Sequence, residues 1–139
     1  MLTIAESKIM ASPPTMSTVP DTGSLRGDVL ELLRRSNLHG EESIALFVVT
    51  IGAHHLATGD TFAEIREEAV GARATSILDQ VLDRAAARGA IDPERLTPRV
   101  RAVAFDLFRH DLLMTMRPLP DEDIVAIVDE VFLPLVSRR

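Results

Sequence analysis

Residues 98–136 read PRVRAVAFDLFRHDLLMTMRPLPDEDIVAIVDEVFLPLV, and this stretch decides the fold. It contains two segments with helical periodicity, 98–116 and 120–136, which are joined only by residues 117–119. Because so short a connection leaves two helices no room to separate, they must form a tight antiparallel pair. The stretch therefore predicts a helical hairpin at the C-terminal end of the domain.

Each helix of this hairpin carries two apolar stripes, although an amphipathic helix at the surface of a single chain needs only one. Five helices cannot bury both stripes of both helices. We therefore expect the second surface to pack against the same hairpin of a second copy, which gives a four-helix bundle at a homodimer interface. The residues expected at this interface are Leu112, Ile124, Val128, Val131, Phe132 and Leu135.

Three further helical segments precede the hairpin, at 24–38, 41–57 and 61–88. The first is amphipathic and is expected to cover the core from outside, whereas the second is apolar all the way round and is expected to be the central, buried helix. No segment alternates as a half-buried strand does, so the predicted fold class is all-α, with five helices. Residues 1–23 are expected to form an extended or disordered tail or linker, and residues 24–139 the domain.

Several helix ends carry local signals. Thr22 or Ser24 can cap the first helix, and residues 61–64, Thr-Phe-Ala-Glu, have the pattern of a capping box. Asp92-Pro93 and Thr97-Pro98 each place a capping side chain before a proline at the first helical position.

The composition limits the classes of function. The 139 residues carry a net charge of −6 and contain five Phe but no Trp or Tyr, so neither a phosphate backbone nor stacked bases are expected partners of this chain. The longest apolar run, 44–53, is about half of what a membrane-spanning helix needs, and the N-terminus lacks a signal-peptide pattern. The absence of cysteine fits a reducing cytosol, and the bias toward Arg and Ala is loosely typical of a bacterial source.

No catalytic or metal-binding motif is found. The chain lacks the helical His-Glu patterns of metal sites, a nucleophile elbow, a phosphate-binding loop and a dinucleotide fingerprint, so we expect no enzyme, no metal and no cofactor. Helix 98–116 does carry a charged cluster of Asp106, Arg109, His110 and Asp111, which is expected to form a solvated edge. The alternative is that the cluster lines a pocket mouth or crosses a dimer seam.

His54 and His55 leave two interpretations open. They end the second helix and can simply hydrogen-bond to the backbone or to solvent. Alternatively, one of them is the polar group of an otherwise apolar pocket among the first four helices. The residues expected to line such a pocket for a small apolar effector are Phe47, Ile51, His54, His55, Phe105 and Phe108.

The order of these pieces resembles a known family. The stretch PDTGSLRGDVLELLRR, the helix that ends in DRAAARGAIDP, and the hairpin RLTPRVRAVAFDLFRHDLLMTMRPLPDEDIVAIVDEVFLPLV are similar to the C-terminal regulatory domain of TetR-family transcriptional regulators. The resemblance covers residues 20–136. It implies a cytoplasmic repressor domain that homodimerises through its last two helices, holds a small effector among the preceding ones and thereby releases DNA.

The sequence departs from this family at its N-terminal side. Only 23 residues precede the first regulatory helix, with a single Lys and three Pro, which is too few for a helix-turn-helix head. The expected function is therefore effector binding and dimerisation, with DNA reached only through a head absent from this chain. An alternative is a helical module that heterodimerises with and modulates a full-length regulator, and a small-molecule enzyme or carrier comes third.

Overall fold

The computed structural model describes residues 18–38, 40–61, 63–64 and 71–137. Its first four helices are α1 (Leu25–Leu38), α2 (Gly40–Thr58), α3 (Gly71–Ala87) and α4 (Pro98–Thr115). The last helix consists of α5 (Asp121–Ala126), a π-helical turn (Ile127–Phe132) and α6 (Leu133–Val136). Apart from one isolated bridge between Ile91 and Ser137, the described part of the chain has no β structure, so the all-α prediction is confirmed.

The capping signals act as the sequence predicts. Ser24 accepts a hydrogen bond from the Gly27 N–H at 3.0 Å, and Thr97 accepts one from the Val100 N–H at 3.3 Å. Asp92 caps in the same way, but Pro93 begins only a short 3-10 turn (Pro93–Arg95). At 61–64 the Thr61 hydroxyl accepts from the Glu64 N–H at 3.2 Å. Residues 62 and 65–70 of the predicted helix 61–88 lie outside the described residues.

The centre of the molecule is the pair formed by α1 and the last helix. Val29, Leu33, Val128 and Phe132 are completely buried where the two meet the continuous apolar core. Helices α3 and α4 close this core, since α3 packs against α1, and α4 packs against the π-helical turn. The predicted hairpin of the last two helices is thus present, and its connecting turn begins at Met116, whose positive φ of 53° ends α4.

This arrangement reverses the predicted roles of the first two helices. Helix α1 was expected at the periphery, yet its buried residues cover a broad face. Helix α2 was expected at the centre, yet Val49 and Leu56 are 72% and 88% exposed. Among the residues of α2 whose burial is known, only Gly40, Ile44 and Ile51 are buried. The physical reason is that charged side chains of α1 pair with specific partners, so a helix that carries polar residues can lie at the centre of the fold.

Two of these partners tie α1 to the last helix. Arg26 donates from Nε and Nη2 to the two carboxylate oxygens of Asp129 at 2.7 and 3.1 Å. Arg34 forms the same bidentate pair with Asp121 at 2.8 and 2.9 Å. Because the residue nearer the start of α1 pairs with the one nearer the C-terminus, the two helices run antiparallel.

These pairs predict an acid dependence of stability. Hydrogen bonds from Arg26 and Arg34 lower the pKa of Asp129 and of Asp121, respectively. A carboxyl with a lower pKa in the folded chain stabilises the fold above its unfolded pKa, and this contribution is lost as the pH falls through the folded pKa. We expect Asp129→Asn to lower the urea midpoint at pH 7, and the difference from the wild type to shrink as the pH falls below about 4.

The control for this pH series is Glu130→Gln, at the exposed neighbouring position. We expect it to change the midpoint little across the same range, because an exposed carboxylate without a bidentate partner contributes little to stability. A deficit of Asp129→Asn that stays constant from pH 7 to pH 3 would contradict the role assigned to the Arg26 pair.

Residues 18–23 belong to the predicted tail, yet they lie against the domain. Pro20 is buried and Val19 packs against the core. Arg35 of α1 donates to the carbonyl of Thr18 at 2.6 Å, and the backbone N–H of Thr22 donates to Asp28 at 2.7 Å. The chain is thus attached to the domain from residue 18 onward, and residues 1–17 lie outside the described part.

Candidate functional site

The site predicted from the sequence lies on two helices that pack against each other. Phe47 and Ile51 belong to α2, Phe105 and Phe108 belong to α4, and these helices are in contact. Ile51 and Phe108 are buried, whereas Phe47 and Phe105 are half-buried. All six predicted effector residues thus belong to this helix pair, which we call the α2–α4 seam.

Ile51 differs from the other buried apolar residues. It is 7% exposed, yet it is not a member of the continuous core that the buried residues of α1, α3, α4 and the last helix form together with Ile44. Ile51 is thus a buried apolar side chain of α2 that the core of the described residues does not include.

A close backbone approach fixes one end of the seam. A Cβ atom on Gly40 would lie 2.9 Å from Cδ2 of Leu112, nearer than two carbon atoms can pack without a shift. The absence of a side chain at Gly40 therefore lets the start of α2 lie directly against α4. The sequence pattern does not indicate this packing role of Gly40.

His54 and His55 lie at the other end of α2 and both contact Asp60. Nε2 of His54 lies 2.9 Å from a carboxylate oxygen of Asp60, and Nδ1 of His55 lies 2.6 Å from its carbonyl oxygen. The His54 hydrogen bond lowers the pKa of Asp60. These contacts agree with the simpler interpretation, in which the imidazoles hydrogen-bond where the helix ends.

The turn after α2 is closed by the backbone as well. The Gly59 N–H donates to the carbonyl of His55 at 2.7 Å, and Gly59 has a φ of 77°, which a residue with a side chain rarely adopts. The Thr58 hydroxyl donates to the carbonyl of His54. Since His54 and Asp60 keep 43% and 42% of their side-chain surface exposed, the end of α2 offers polar groups that a ligand can reach.

The charged cluster on α4 matches its expected role in part. Arg109 donates to Asp106 at 3.2 Å, an i,i+3 pair within the helix, and His110 is exposed. Such pairs at partly exposed positions contribute a few tenths of a kcal/mol. The cluster therefore has the character of a partly solvated edge.

The residues predicted for the dimer interface divide into two groups. Leu112, Ile124, Val128 and Phe132 are at most 4% exposed and belong to the core of the single chain. These four side chains are thus packed inside the single chain and keep almost no exposed surface. Val131 is half-buried and Leu135 is 43% exposed, so only these two keep surface for an interface.

Sequence reasoning missed Asp28, which is completely buried. Its carboxylate accepts hydrogen bonds from the backbone N–H and the hydroxyl of Thr22 at 2.7 and 2.8 Å. A signal was present in the sequence, because Asp28 lies three residues after Leu25 and four before Leu32, on the apolar stripe of α1.

Two general features of the described ranges bear on function. They contain no group of three or more His, Asp or Glu side chains arranged to hold a metal ion. They also contain no helix that is long and apolar enough to cross a membrane.

Comparison with known proteins gives one match. A family model described as "Tetracyclin repressor-like, C-terminal domain" matches residues 19–131. No curated protein and no solved structure matches the chain.

Proposed function

The chain belongs to the family of tetracyclin repressor-like C-terminal domains, and from that membership we propose that it binds a small apolar effector and dimerises as the regulatory part of a transcriptional repressor. DNA is contacted in this proposal by a helix-turn-helix head and not by this domain. The cysteine-free sequence suits the reducing bacterial cytoplasm in which we place it.

The observation that carries the effector site is the packing of α2 against α4, with Ile51 buried on α2. Small-molecule sites are mostly apolar recesses with a few polar groups, and the α2–α4 seam combines Ile51 and Phe108 with the half-buried rings of Phe47 and Phe105. His54 and His55 lie toward the end of α2 and supply polar groups there. The ligand that suits such a wall is hydrophobic and has one hydrogen-bonding group.

A thermal-shift screen tests the site. The probes are apolar small molecules that each carry one hydroxyl or carboxyl group. A ligand that binds only the folded chain adds about 2.7 kcal/mol at 100 times its Kd, which raises Tm by several degrees. We expect Phe105→Ala and His54→Ala to reduce the shift that a hit produces, because each removes part of the proposed wall.

The matched control for the screen is Leu56→Ala. Leu56 is also on α2, but it is 88% exposed, so its truncation removes apolar surface without changing the seam. We expect this variant to retain the full shift. A hit that keeps its full shift in folded Phe105→Ala and His54→Ala proteins would overturn the proposed location.

The proposed dimer uses the apolar surface that the last two helices leave exposed. Leu113 and Met114 near the end of α4 are 40% and 73% exposed, and Leu135 at the end of the last helix is 43% exposed. Together with the half-buried Leu107 and Val131, they are candidates for contact with a second copy. A homodimer places the same patch opposite itself, so one substitution acts twice.

Light scattering of a charge variant tests this interface. We expect Leu135→Glu to convert a dimer into a monomer, because two carboxylates would face each other or lose water across the two-fold axis. Leu56→Glu introduces the same charge on α2 and is expected to leave the mass unchanged. A wild-type protein that is monomeric at tens of micromolar would contradict homodimerisation. It would favour the alternative of a module that pairs with a full-length regulator.

A further inference from the structure

The buried carboxylate of Asp28 is not used by the proposed effector site or dimer interface. It is the one charged side chain that is buried among the described residues whose burial is known. Burying a carboxylate costs several kcal/mol unless partners compensate it. Its surroundings must therefore supply that compensation. They connect α1, which carries Asp28, to two other parts of the fold.

The first part is the segment that precedes α1. One carboxylate oxygen of Asp28 accepts two hydrogen bonds from Thr22, from the backbone N–H at 2.7 Å and from the hydroxyl at 2.8 Å. Gly27 allows this approach, because a Cβ atom there would lie 2.2 Å from the Thr22 hydroxyl oxygen. The segment is thus held against the first turns of α1 through Asp28.

The second part is the C-terminal end of α3. Arg84 and Arg88 each place an Nη2 atom 3.9 Å from the other carboxylate oxygen of Asp28. Arg84 also donates to the carbonyl of Pro20 and lies 3.6 Å from the carboxylate of Asp21. One guanidinium from α3 therefore contacts both the segment before α1 and the carboxylate that holds it.

We propose that Asp28, Arg84 and Arg88 form a latch that couples the position of the C-terminal end of α3 to residues 18–24. When the arginines keep their places, Asp28 retains its countercharges and holds Thr22. When the two guanidinium groups move away, the negative charge of Asp28 is no longer compensated, and residues 18–24 are released from α1. That this latch transmits the binding of an effector rests on the proposed function, whereas the coupling of α3 to residues 18–24 does not.

The hydrogen bonding of the latch has two accessible arrangements. The Asp28 oxygen that faces the arginines and Nε of Arg84 are both buried without a hydrogen-bond partner. A hydrogen bond needs about 2.7–3.2 Å, so a movement of about 1 Å from the present 3.9 Å brings either guanidinium onto that oxygen. Because Nη2 of Arg84 carries two hydrogens, it can donate to Asp28 while it keeps its bond to the Pro20 carbonyl. A small shift of α3 therefore makes or breaks a direct hydrogen bond to Asp28, which is the basis of a conformational switch.

Hydrogen exchange tests the coupling in both directions without any effector. In the first direction, we expect Arg84→Gln/Arg88→Gln to speed exchange of the Thr22 amide at least tenfold, although neither residue bonds to that amide. Arg101→Gln is the matched control, because Arg101 pairs with Asp79 and Asp83 on α3 and has no described contact with residues 18–24. We expect it to leave Thr22 exchange unchanged.

In the second direction, Thr22→Ala should speed exchange of the Arg88 amide, which donates to the carbonyl of Arg84 at 3.1 Å. Coupling between two sites is reciprocal, so both directions must respond. Thr22 is exposed, so this variant keeps the test open even if the double arginine variant fails to fold. Unchanged Arg88 exchange in Thr22→Ala, or unchanged Thr22 exchange in a folded arginine variant, would overturn the latch. Neither outcome depends on whether an effector binds at the α2–α4 seam.

Discussion

Phe132→Arg is expected to unfold the chain rather than to dissociate a dimer. Phe132 is the largest of the completely buried side chains and is surrounded by apolar residues of the continuous core. A guanidinium at this position would lose its water without gaining a carboxylate, at a cost of several kcal/mol. Since domains are stable by only about 5–15 kcal/mol, we expect circular dichroism to show no cooperative urea transition.

Phe132→Leu is the control for this substitution. It retains an apolar side chain of similar volume, so we expect a loss of about 1 kcal/mol and no change in mass. A Phe132→Arg protein with a native spectrum and half the wild-type mass would contradict this expectation and would place Phe132 at the dimer interface. That is where the sequence pattern alone had placed it.

Gly27→Ala is expected to destabilise the domain by about 3 kcal/mol, although alanine is the better helix former. The new Cβ would lie 2.2 Å from the hydroxyl oxygen of Thr22 and 3.0 Å from its Cβ. Thr22 must then move away from Asp28, which leaves the buried carboxylate without two of its hydrogen bonds. Chemical denaturation of the purified chain measures the loss.

Two variants separate this clash from general effects of the substitution. Gly52→Ala makes the same change on α2 at a position where a Cβ meets nothing within 4 Å, so we expect a gain of up to about 1 kcal/mol. The double variant Thr22→Gly/Gly27→Ala lacks both Thr22 atoms that the new Cβ would approach. We expect its loss of stability to be smaller than the sum of the losses of the two single variants. Strict additivity would show that Thr22 does not mediate the effect.

Local signals in the sequence were reliable guides to the helices. Thr97 and Ser24 cap the helices for which they were proposed, because a short side chain with an acceptor oxygen satisfies an N–H group wherever a helix starts. The hairpin followed from the length of its connection. Such features depend on neighbours in the chain, which a sequence displays directly.

Features that depend on distant residues were harder to predict. The apolar character of α2 suggested a central helix, whereas the charges of α1 suggested a peripheral one, and the structure reverses both. Arg26 and Arg34 can lie beside the core because Asp129 and Asp121, about a hundred residues away, receive them. Long-range pairing of this kind leaves no periodic pattern in one helix.

The burial of the predicted interface residues has a related explanation. The sequence pattern predicts two apolar stripes on the last helix, which together are more apolar surface than one chain was expected to bury. In the structure Ile124, Val128, Phe132 and Val136, spaced four residues apart, are all buried in the core of a single chain. A spacing of four drifts around a regular α-helix, but the π-helical turn holds more residues per turn and keeps the row aligned.

The π-helical turn also makes the last helix unusual in its tolerance of changes in length. Its Leu133 N–H reaches back five residues to the carbonyl of Val128, and Pro134, which cannot donate, follows at once. A π turn is an α-helix with one residue inserted, so removing the exposed Glu130 can tighten the turn while the flanking halves keep their orientation. Elsewhere in a helix the same deletion rotates everything beyond it by about 100°. Insertions and deletions among relatives of this chain are therefore expected to collect at 127–132.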